Sequence, residues 1–435
     1  MKHIKLFFLL ITLAIFWQGA NAAIIHVPGD SSTIQGAANG AANGDTILVA
    51  PGVYHENVDL DCKAVLLASH YLFDNDTLTI NSTIIEGGSG NALSWEGSNC
   101  FPENESLTVI GFTMRNSFYG VWKYLGWRFD QPRSRICHNR FMNNYCGVFS
   151  VTWDNCVIDH NIFISNAEGV ECYGDISKDG SQLPSGMNIV ENNVFLFNSL
   201  VGAVAWGGAS HIFRNNIFSR NTRGISSAYY SSLNAAGNVV CNNSIGVYCE
   251  ISVAYEDSII IKNNIITAND TGIYINGSIE RRQIRYNDVK SRLVNFIGCP
   301  AGSGDTTWET NFNGTPCDSF YNITRDPLFA DTIDFELLCN SPCIDAGDSS
   351  AQVPESGGYR IDMGKNEFPY IIGDANNDYR IDVTDVVLVI NYLFIHGPAP
   401  CPYHSSDTNG DGIINSSDIV CLINHLFCGS TFPCF

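Results

Sequence analysis

Between Arg135 and Ile275 the chain repeats one pattern: Asn, an apolar residue two places on, Asn at five, then Gly and an aliphatic residue at eight and nine. The copies are Asn139-Phe141-Asn144-Gly147-Val148, Asn161-Phe163-Asn166-Gly169-Val170, Asn216-Phe218-Asn221-Gly224-Ile225, Asn238-Val240-Asn243-Gly246-Val247 and Asn264-Ile266-Asn269-Gly272-Ile273. A sixth, Asn193-Phe195-Asn198-Gly202, has one inserted residue. Successive first Asn residues lie 22, 32, 23, 22 and 26 positions apart, a period within the range of solenoid repeats. Apolar positions at intervals of two or three predict short strands joined by tight turns, without the 3.6-residue period of a helix. Asn and Gly suit left-handed turns. Asn side chains stacked at equivalent turns can also hydrogen-bond from coil to coil at the strand spacing of about 4.8 Å. The pattern therefore predicts a parallel β-solenoid in which these Asn residues are structural.

The two ends of the chain follow other rules. Lys2 and Lys5, an apolar run from Leu6 to Trp17 and the small residues Ala20-Asn21-Ala22 read as a secretory signal peptide over residues 1–22. The run is too short for a membrane anchor, which needs roughly 20 apolar residues, and no later segment predicts a membrane span. Without the leader, 44 acids face 21 bases, a net charge of −23 that argues against nucleic acid as a partner. Sixteen cysteines in an exported chain are disulfide candidates. Cys172 and Cys249 fall three coils apart in one inward column, beyond bridging reach, whereas Cys137 and Cys156 start adjacent coils and are the expected bridge.

From Gly373 onward the sequence changes character. GDANNDYRIDVTDVVLVINYLF at 373–394 is echoed by SDTNGDGIINSSDIVCLINHLF at 406–427. Oxygen ligands fall at loop positions 1, 3, 5, 9 and 12: Asp374, Asn376, Asp378, Asp382 and Asp385, then Asp407, Asn409, Asp411, Asn415 and Asp418. Backbone carbonyls at position 7, Arg380 and Ile413, complete two oxygen shells suited to Ca2+. Position 6 needs a sharp turn, and it is Gly412 in the second loop but Tyr379 in the first, which predicts weaker calcium binding there. Val386, Ile390, Leu393 and Phe394, and Ile419, Ile423, Leu426 and Phe427, have the spacing of buried helix faces. Cys401, Cys421, Cys428 and Cys434 offer three ways to staple this small module.

The repeat region, with Thr33-Ile34-Gln35, Gly44-Asp45-Thr46-Ile47-Leu48-Val49-Ala50-Pro51-Gly52-Val53-Tyr54 and Glu56-Asn57, resembles secreted right-handed parallel β-helix proteins of the pectin-lyase-like class. That resemblance covers about residues 24–370. It implies a short helix over Ser32 to Ala42 capping the first coil, and a closing segment at Ser341–Asp348 with Arg360–Gly364. The duplicated loops resemble a type I dockerin, which implies recognition of a cohesin-type scaffold through loop positions 10 and 11, here Val383-Thr384 and Ser416-Ser417. A calcium-stabilised terminal domain without a cohesin partner is the other reading. The expected organisation is thus a signal peptide at 1–22, an all-β right-handed parallel β-helix at 23–370 and a small α-helical, dockerin-like calcium-binding domain at 371–435.

Function must come from the solenoid's outward columns. Ten places after the first Asn stand Phe149, Glu171, Ser226, Tyr248 and Tyr274, with Trp122 as an earlier member. Aromatics in such a column can stack on sugar rings, and Glu171 can serve acid/base chemistry unless a neighbouring base neutralises it. Two places before the first Asn runs a mostly charged row, Cys137, Asp159, Glu191, Arg214, Ala236 and Lys262. The expected substrate-binding residues are Trp122, Phe149, Glu171, Tyr248 and Tyr274, facing an extracellular polysaccharide. Catalytic residues are not assigned. Lyases on the fold it resembles use Arg or Lys near an acidic calcium site; Arg281, Arg282, Arg285, Arg128, Arg133 and Arg135 occur here without a recognisable signature. The Asn-Thr-Asp, Asp-Asp and Gly-His-Gly elements of polygalacturonase-type hydrolases are absent. As an enzyme the chain would be a polysaccharide lyase or glycoside hydrolase; the rival is a non-catalytic surface or adhesion protein presenting a binding face.

Overall fold

The computed structural model describes residues 22–97, 106–125, 134–151, 156–174, 187–207, 210–228, 231–251, 258–277, 282–307, 309–352 and 358–433. All of the predicted leader except Ala22 lies outside them, as do Arg128, Arg133, Arg281 and Cys434. The chain is a parallel β-solenoid. Each coil gives one strand to each of three sheets, as in Cys156–Asp159, Ile162–Ile164 and Glu168–Gly174. The first sheet has 11 strands, from Ile24–Val27 to Arg282–Arg285. The second and third have 10 each, ending at Asp288–Lys290 and Val294–Ile297. Pairing within each is parallel and in register, so equivalent residues of successive coils stack. The buried rings of Phe141, Phe163, Phe195 and Phe218 form such a stack, with centroids 4.9, 4.7 and 4.5 Å apart.

Two asparagine ladders run along the corners. In the first, the backbone N–H of Asn139 donates to the Oδ1 of Asn161, Asn161 to Asn193, and so on through Asn216, Asn238, Asn264 and Asn287 to Asn322, at 2.9–3.1 Å. Asn144, Asn166, Asn198, Asn221, Asn243 and Asn269 repeat this at the second corner. The side chains are buried, so each closes hydrogen bonds that water cannot reach. The left-handed turn residue is not the ladder Asn but the one before it: Asn192 at φ 56°, Asn215 at 56° and Asn242 at 58°. The turn and the ladder thus use consecutive residues, which separates the two roles that the sequence pattern merged.

Both solenoid ends are closed. Thr33 caps the helix Ile34–Gly40, whose Ile34, Ala37 and Ala38 join the main core. At the other end Cys343, Ile344, Ala346, Met363 and Tyr370 form a second apolar cluster. Beneath it Asp288 is fully buried; it accepts a hydrogen bond from the Arg325 backbone N–H at 3.0 Å and lies 3.5 Å from the Cys343 thiol. Burial pushes its carboxyl up to about 7. A raised folded-state value favours folding below pH 4 and loses that contribution as pH rises toward 7. We expect Asp288→Asn to raise the urea midpoint more at pH 8 than at pH 5; an equal effect at both would contradict the assignment.

The cysteine expectations divide. Cys172 and Cys249 are unbridged, as expected. Cys137 and Cys156 do not form the expected bridge. In the paired strands Cys156 stands opposite Ser134 and Cys137 opposite Asp159, which puts the two thiols at opposite strand ends. Cys401 does not staple the terminal module internally but bridges to Cys339 in the closing region of the solenoid. Cys428 is an exposed thiol, and Cys62 and Cys421 are disulfide-bonded. Among the described residues no helix is long and apolar enough to cross a membrane.

Candidate functional site

The third sheet carries the predicted outward column. Trp122 pairs in register with Phe149, Phe149 with Glu171, Glu171 with Val204, then Ser226, Tyr248 and Tyr274. Trp122 and Phe149 stack at 4.3 Å, 6° from parallel, and the indole N–H donates to Glu96 Oε2 at 2.8 Å. Tyr248 and Tyr274 meet edge to face at 5.4 Å. The column is therefore one line in the fold but two aromatic groups in space, parted by the small or aliphatic Val204 and Ser226.

Glu171 sits between them, and its partner is an acid rather than the neighbouring base considered from sequence. The carboxyls of Glu168 and Glu171 hydrogen-bond to each other. Ligand atoms of Glu168, Glu171 and the buried Cys146 thiol lie within 4.8 Å of one another. Burial raises both carboxyls, and burial followed by the Glu168 charge pushes Glu171 up to about 8. Such a pair retains one proton at neutral pH. Tyr119, 5.4 Å from Phe149 and 4.7 Å from Trp122, closes this end; burial and then the Glu171 charge push its phenol up to about 12.

Sequence reasoning missed Glu168 because residues three apart on a regular strand face opposite ways. Here Gly169 and Val170 are buried in succession, so the alternation breaks and the carboxyls of Glu168 and Glu171 come together on one face. The signal was available in the residue before each repeat Gly, which forms a column of its own: Tyr119, Cys146, Glu168, Val201 and Arg223. Arg223 lies over the Tyr248 ring at 4.1 Å. A cleft of about 350 Å³ beyond Glu168 is lined by Val204, Trp206, Arg223, Ser226 and Glu250.

The charged row on the first sheet holds its register, with Asp159 beside Glu191 and Glu191 beside Arg214. Its acids are neutralised in place. Arg135 grips Asp159 with two hydrogen bonds, at 2.8 and 2.6 Å, and Arg214 Nε bonds Glu191 at 2.6 Å.

In the terminal module the two loops fold alike. Asp374 accepts from the N–H groups of Asp378 and Tyr379, and Asp407 from those of Gly410, Asp411 and Gly412. Asp382 and Asn415 cap the helices Val383–Ile395 and Ser416–Cys428, and Asp385 and Asp418, three residues on, accept from the cap backbone N–H groups at 2.8 Å and complete a capping box in each. The carboxylates of Asp374, Asp385, Asp407 and Asp418 are fully buried, and among the described residues no Lys or Arg pairs with them. A set of buried carboxylates, with His404 at 3.8 Å from Asp407 beside only one of them, fits a hard divalent cation. Asp374, Asn376, Asp378, Asp382 and Asp385, with the Arg380 carbonyl, would hold one ion, and Asp407, Asn409, Asp411, Asn415 and Asp418, with the Ile413 carbonyl, a second. A bound cation would supply the charge that lets these acids be buried. Tyr379 stands at φ 67°, the left-handed turn that Gly412 makes at 86°. Calorimetry is expected to find the first loop weaker in calcium and Tyr379→Gly to strengthen it; no change on substitution would remove the strain argument.

The helix faces differ from the spacing reading. Val386, Val389, Ile419 and Leu422 are buried at their contact, while Phe394, Ile423 and Phe427 are exposed. Three to four residues per turn place 386, 389 and 393 on one stripe and swing 394 a further 100° outward.

Residues 372–427 match the family model described as the dockerin type I domain. The terminal module is a type I dockerin domain. Dockerin domains of this type bind calcium. Residues 181–319 of the solenoid match a second family, described as periplasmic copper-binding protein (NosD). No curated protein matches the chain. Solved structures that resemble it include the Azotobacter vinelandii mannuronan C-5 epimerase AlgE6 A-module, at 17% identity and TM-score 0.41, covering 59% of this chain and 72% of that one. An alginate lyase from Paenibacillus sp. has 13% identity and TM-score 0.39, covering 63% and 95%. The pectate lyase Pel9A has 14% identity and TM-score 0.37, covering 80% and 97%.

The dockerin domain is fastened to the closing segment of the solenoid. Besides the Cys339–Cys401 bridge, the Tyr359 hydroxyl donates to the Asp407 carbonyl in the second loop, and His404 stacks on Phe312 at 5.0 Å.

Proposed function

We propose that this is an exported carbohydrate-active protein that binds an extracellular, uncharged polysaccharide along the third sheet and cleaves it with the Glu168–Glu171 pair as proton donor. The observation that carries the reading is the proton-sharing pair set beside an aromatic platform. Sugar rings present apolar faces to Trp122, Phe149 and Tyr119, while a protonated carboxyl beside them can donate to the departing glycosidic oxygen as water adds its hydroxyl to the anomeric carbon and returns a proton to the pair. The outward columns around it carry Glu96, Glu168, Glu171 and Glu250, against one outward basic side chain among the described residues, Arg223, already placed over Tyr248; Lys123 on the same sheet is buried. A polyuronate would meet like charge along this face. The reading therefore departs from the alginate and pectate chemistry named for the structures above.

The dockerin domain supports attachment to a cohesin-bearing scaffold or cell surface, dependent on two calcium ions. At loop positions 10 and 11 of its first loop Val383 is exposed, and the Thr384 hydroxyl donates to Asp382 at 2.6 Å.

The test is a panel of neutral and acidic glycans offered to the purified chain, reading reducing ends and unsaturated-product absorbance. New reducing ends from a neutral glycan are expected. Unsaturated products from a uronate would overturn the acid role, and binding without products would leave a non-catalytic adhesion protein.

A further inference from the structure

A second cluster lies at the corner between the first and second sheets, away from the aromatic columns. His138 and His160 occupy the left-handed turn position in adjacent coils, at φ 53° and 55°. The same corner carries Gly111 in the coil before and Asn192 and Asn215 in the two after, residues that accept this conformation readily. Imidazoles in two successive coils are a departure from the corner's turn chemistry, and strained or unusual turn residues direct attention to function. Their rings stack at 4.9 Å, 18° from parallel. Each ring has one nitrogen engaged. His160 Nδ1 contacts Asp159 Oδ2 at 2.9 Å, and His138 Nδ1 contacts the Tyr71 hydroxyl at 3.2 Å. A carboxylate only accepts, so the His160 contact places the proton on Nδ1 and leaves Nε2 with its lone pair. Tyr71 in the accepting role does the same for His138. Asp159 is buried and fixed by Arg135 from the other side, while His160 is half-exposed and open to ions from solvent.

We propose that His138 and His160 form a binding site for a divalent transition-metal ion of the Zn2+ class, oriented by Asp159 and Tyr71. One ring nitrogen from each histidine and one Asp159 oxygen already lie within 4.8 Å of one another. Imidazole lone pairs lie in the ring planes, so the two near-parallel rings reach one ion by rotating out of their stack, with water filling the open side. The pattern of a carboxylate behind one imidazole and a phenol behind the other is that of outer partners that fix ring orientation and raise ligand basicity. Two imidazoles select a borderline metal over Ca2+, which takes oxygen ligands, so this site and the dockerin loops do not compete for one ion. The cluster lies outside residues 181–319 and owes nothing to that family match.

The test is titration of the full chain, preloaded with Ca2+, by Zn2+ in calorimetry and by Co2+ in visible absorption. One equivalent of Zn2+ is expected, with Co2+ ligand-field bands and no sulfur-to-metal charge-transfer band, which excludes the cysteines as ligands. His138→Asn and His160→Asn place at this corner the residue that Asn192 and Asn215 already supply, so the coils keep their turn. Each is expected to abolish the binding step, and Asp159→Asn to weaken it 10–100-fold. Retained stoichiometry in the His138→Asn, His160→Asn double variant, with an unchanged urea midpoint, would overturn the site. So would the absence of any Zn2+ heat in the unaltered chain.

Discussion

Asn193→Ala is expected to lower the stability of the solenoid by about 3 kcal/mol, at the scale set by stranding buried hydrogen-bonding groups. Asn193 accepts from the Asn161 backbone N–H at 2.9 Å and from its Nδ2 at 3.0 Å. It donates to the carbonyls of Ile158 at 2.7 Å and Glu191 at 2.9 Å, and to Asn216 Oδ1 at 3.1 Å. Truncation leaves the Asn161 donors in a dry corner with nothing to accept them, and the defect is felt by the coils on both sides. Asn192→Gly, one residue earlier, keeps the positive φ and is expected to stay within about 0.5 kcal/mol. Urea denaturation of the pair checks this; similar midpoints for both variants would show that the ladder contributes little.

Glu171→Gln is expected to reduce cleavage of a neutral glycan by 10²–10⁴-fold with little change in KM, the range typical of removing a positioned acid. The rate should hold through neutral pH and fall on the alkaline side as the pair gives up its shared proton. Glu168→Gln removes the like charge that helps hold Glu171 protonated. Its alkaline limb should therefore move to lower pH while activity persists below it. Trp122→Ala should instead raise KM, because the indole offers binding area rather than a proton. An unshifted alkaline limb in Glu168→Gln would separate the two carboxyls functionally and defeat the paired-acid mechanism.

Much of the architecture was legible because a solenoid writes its fold as a local repeat. The 22-residue period set the coil, the two Asn positions set the corners, and the aliphatic residue after Gly marked the inward side. The outward column from Trp122 to Tyr274 followed by simple registration. The dockerin domain was equally legible, since its loop pattern spans 12 consecutive residues and occurs twice. Features that join distant segments were not. Cys401 finds Cys339 across the boundary between solenoid and dockerin domain, a contact no spacing within the module could reveal. Glu168 joins Glu171 because strand alternation breaks at the consecutive buried residues Gly169 and Val170.

By itself the sequence determined the repeat, the asparagine ladders, the duplicated loops of the dockerin domain and which side chains share a column, since each depends on neighbours a fixed number of residues apart. Only the tertiary structure decided which of those side chains meet. It gave Glu171 an acid for a partner, set His138 against His160 and Tyr71, and seated the second calcium loop on Tyr359. Those outcomes depend on breaks in strand alternation, loop insertions and packing between coils, where burial and the need to pair every polar group fix what the local pattern leaves open.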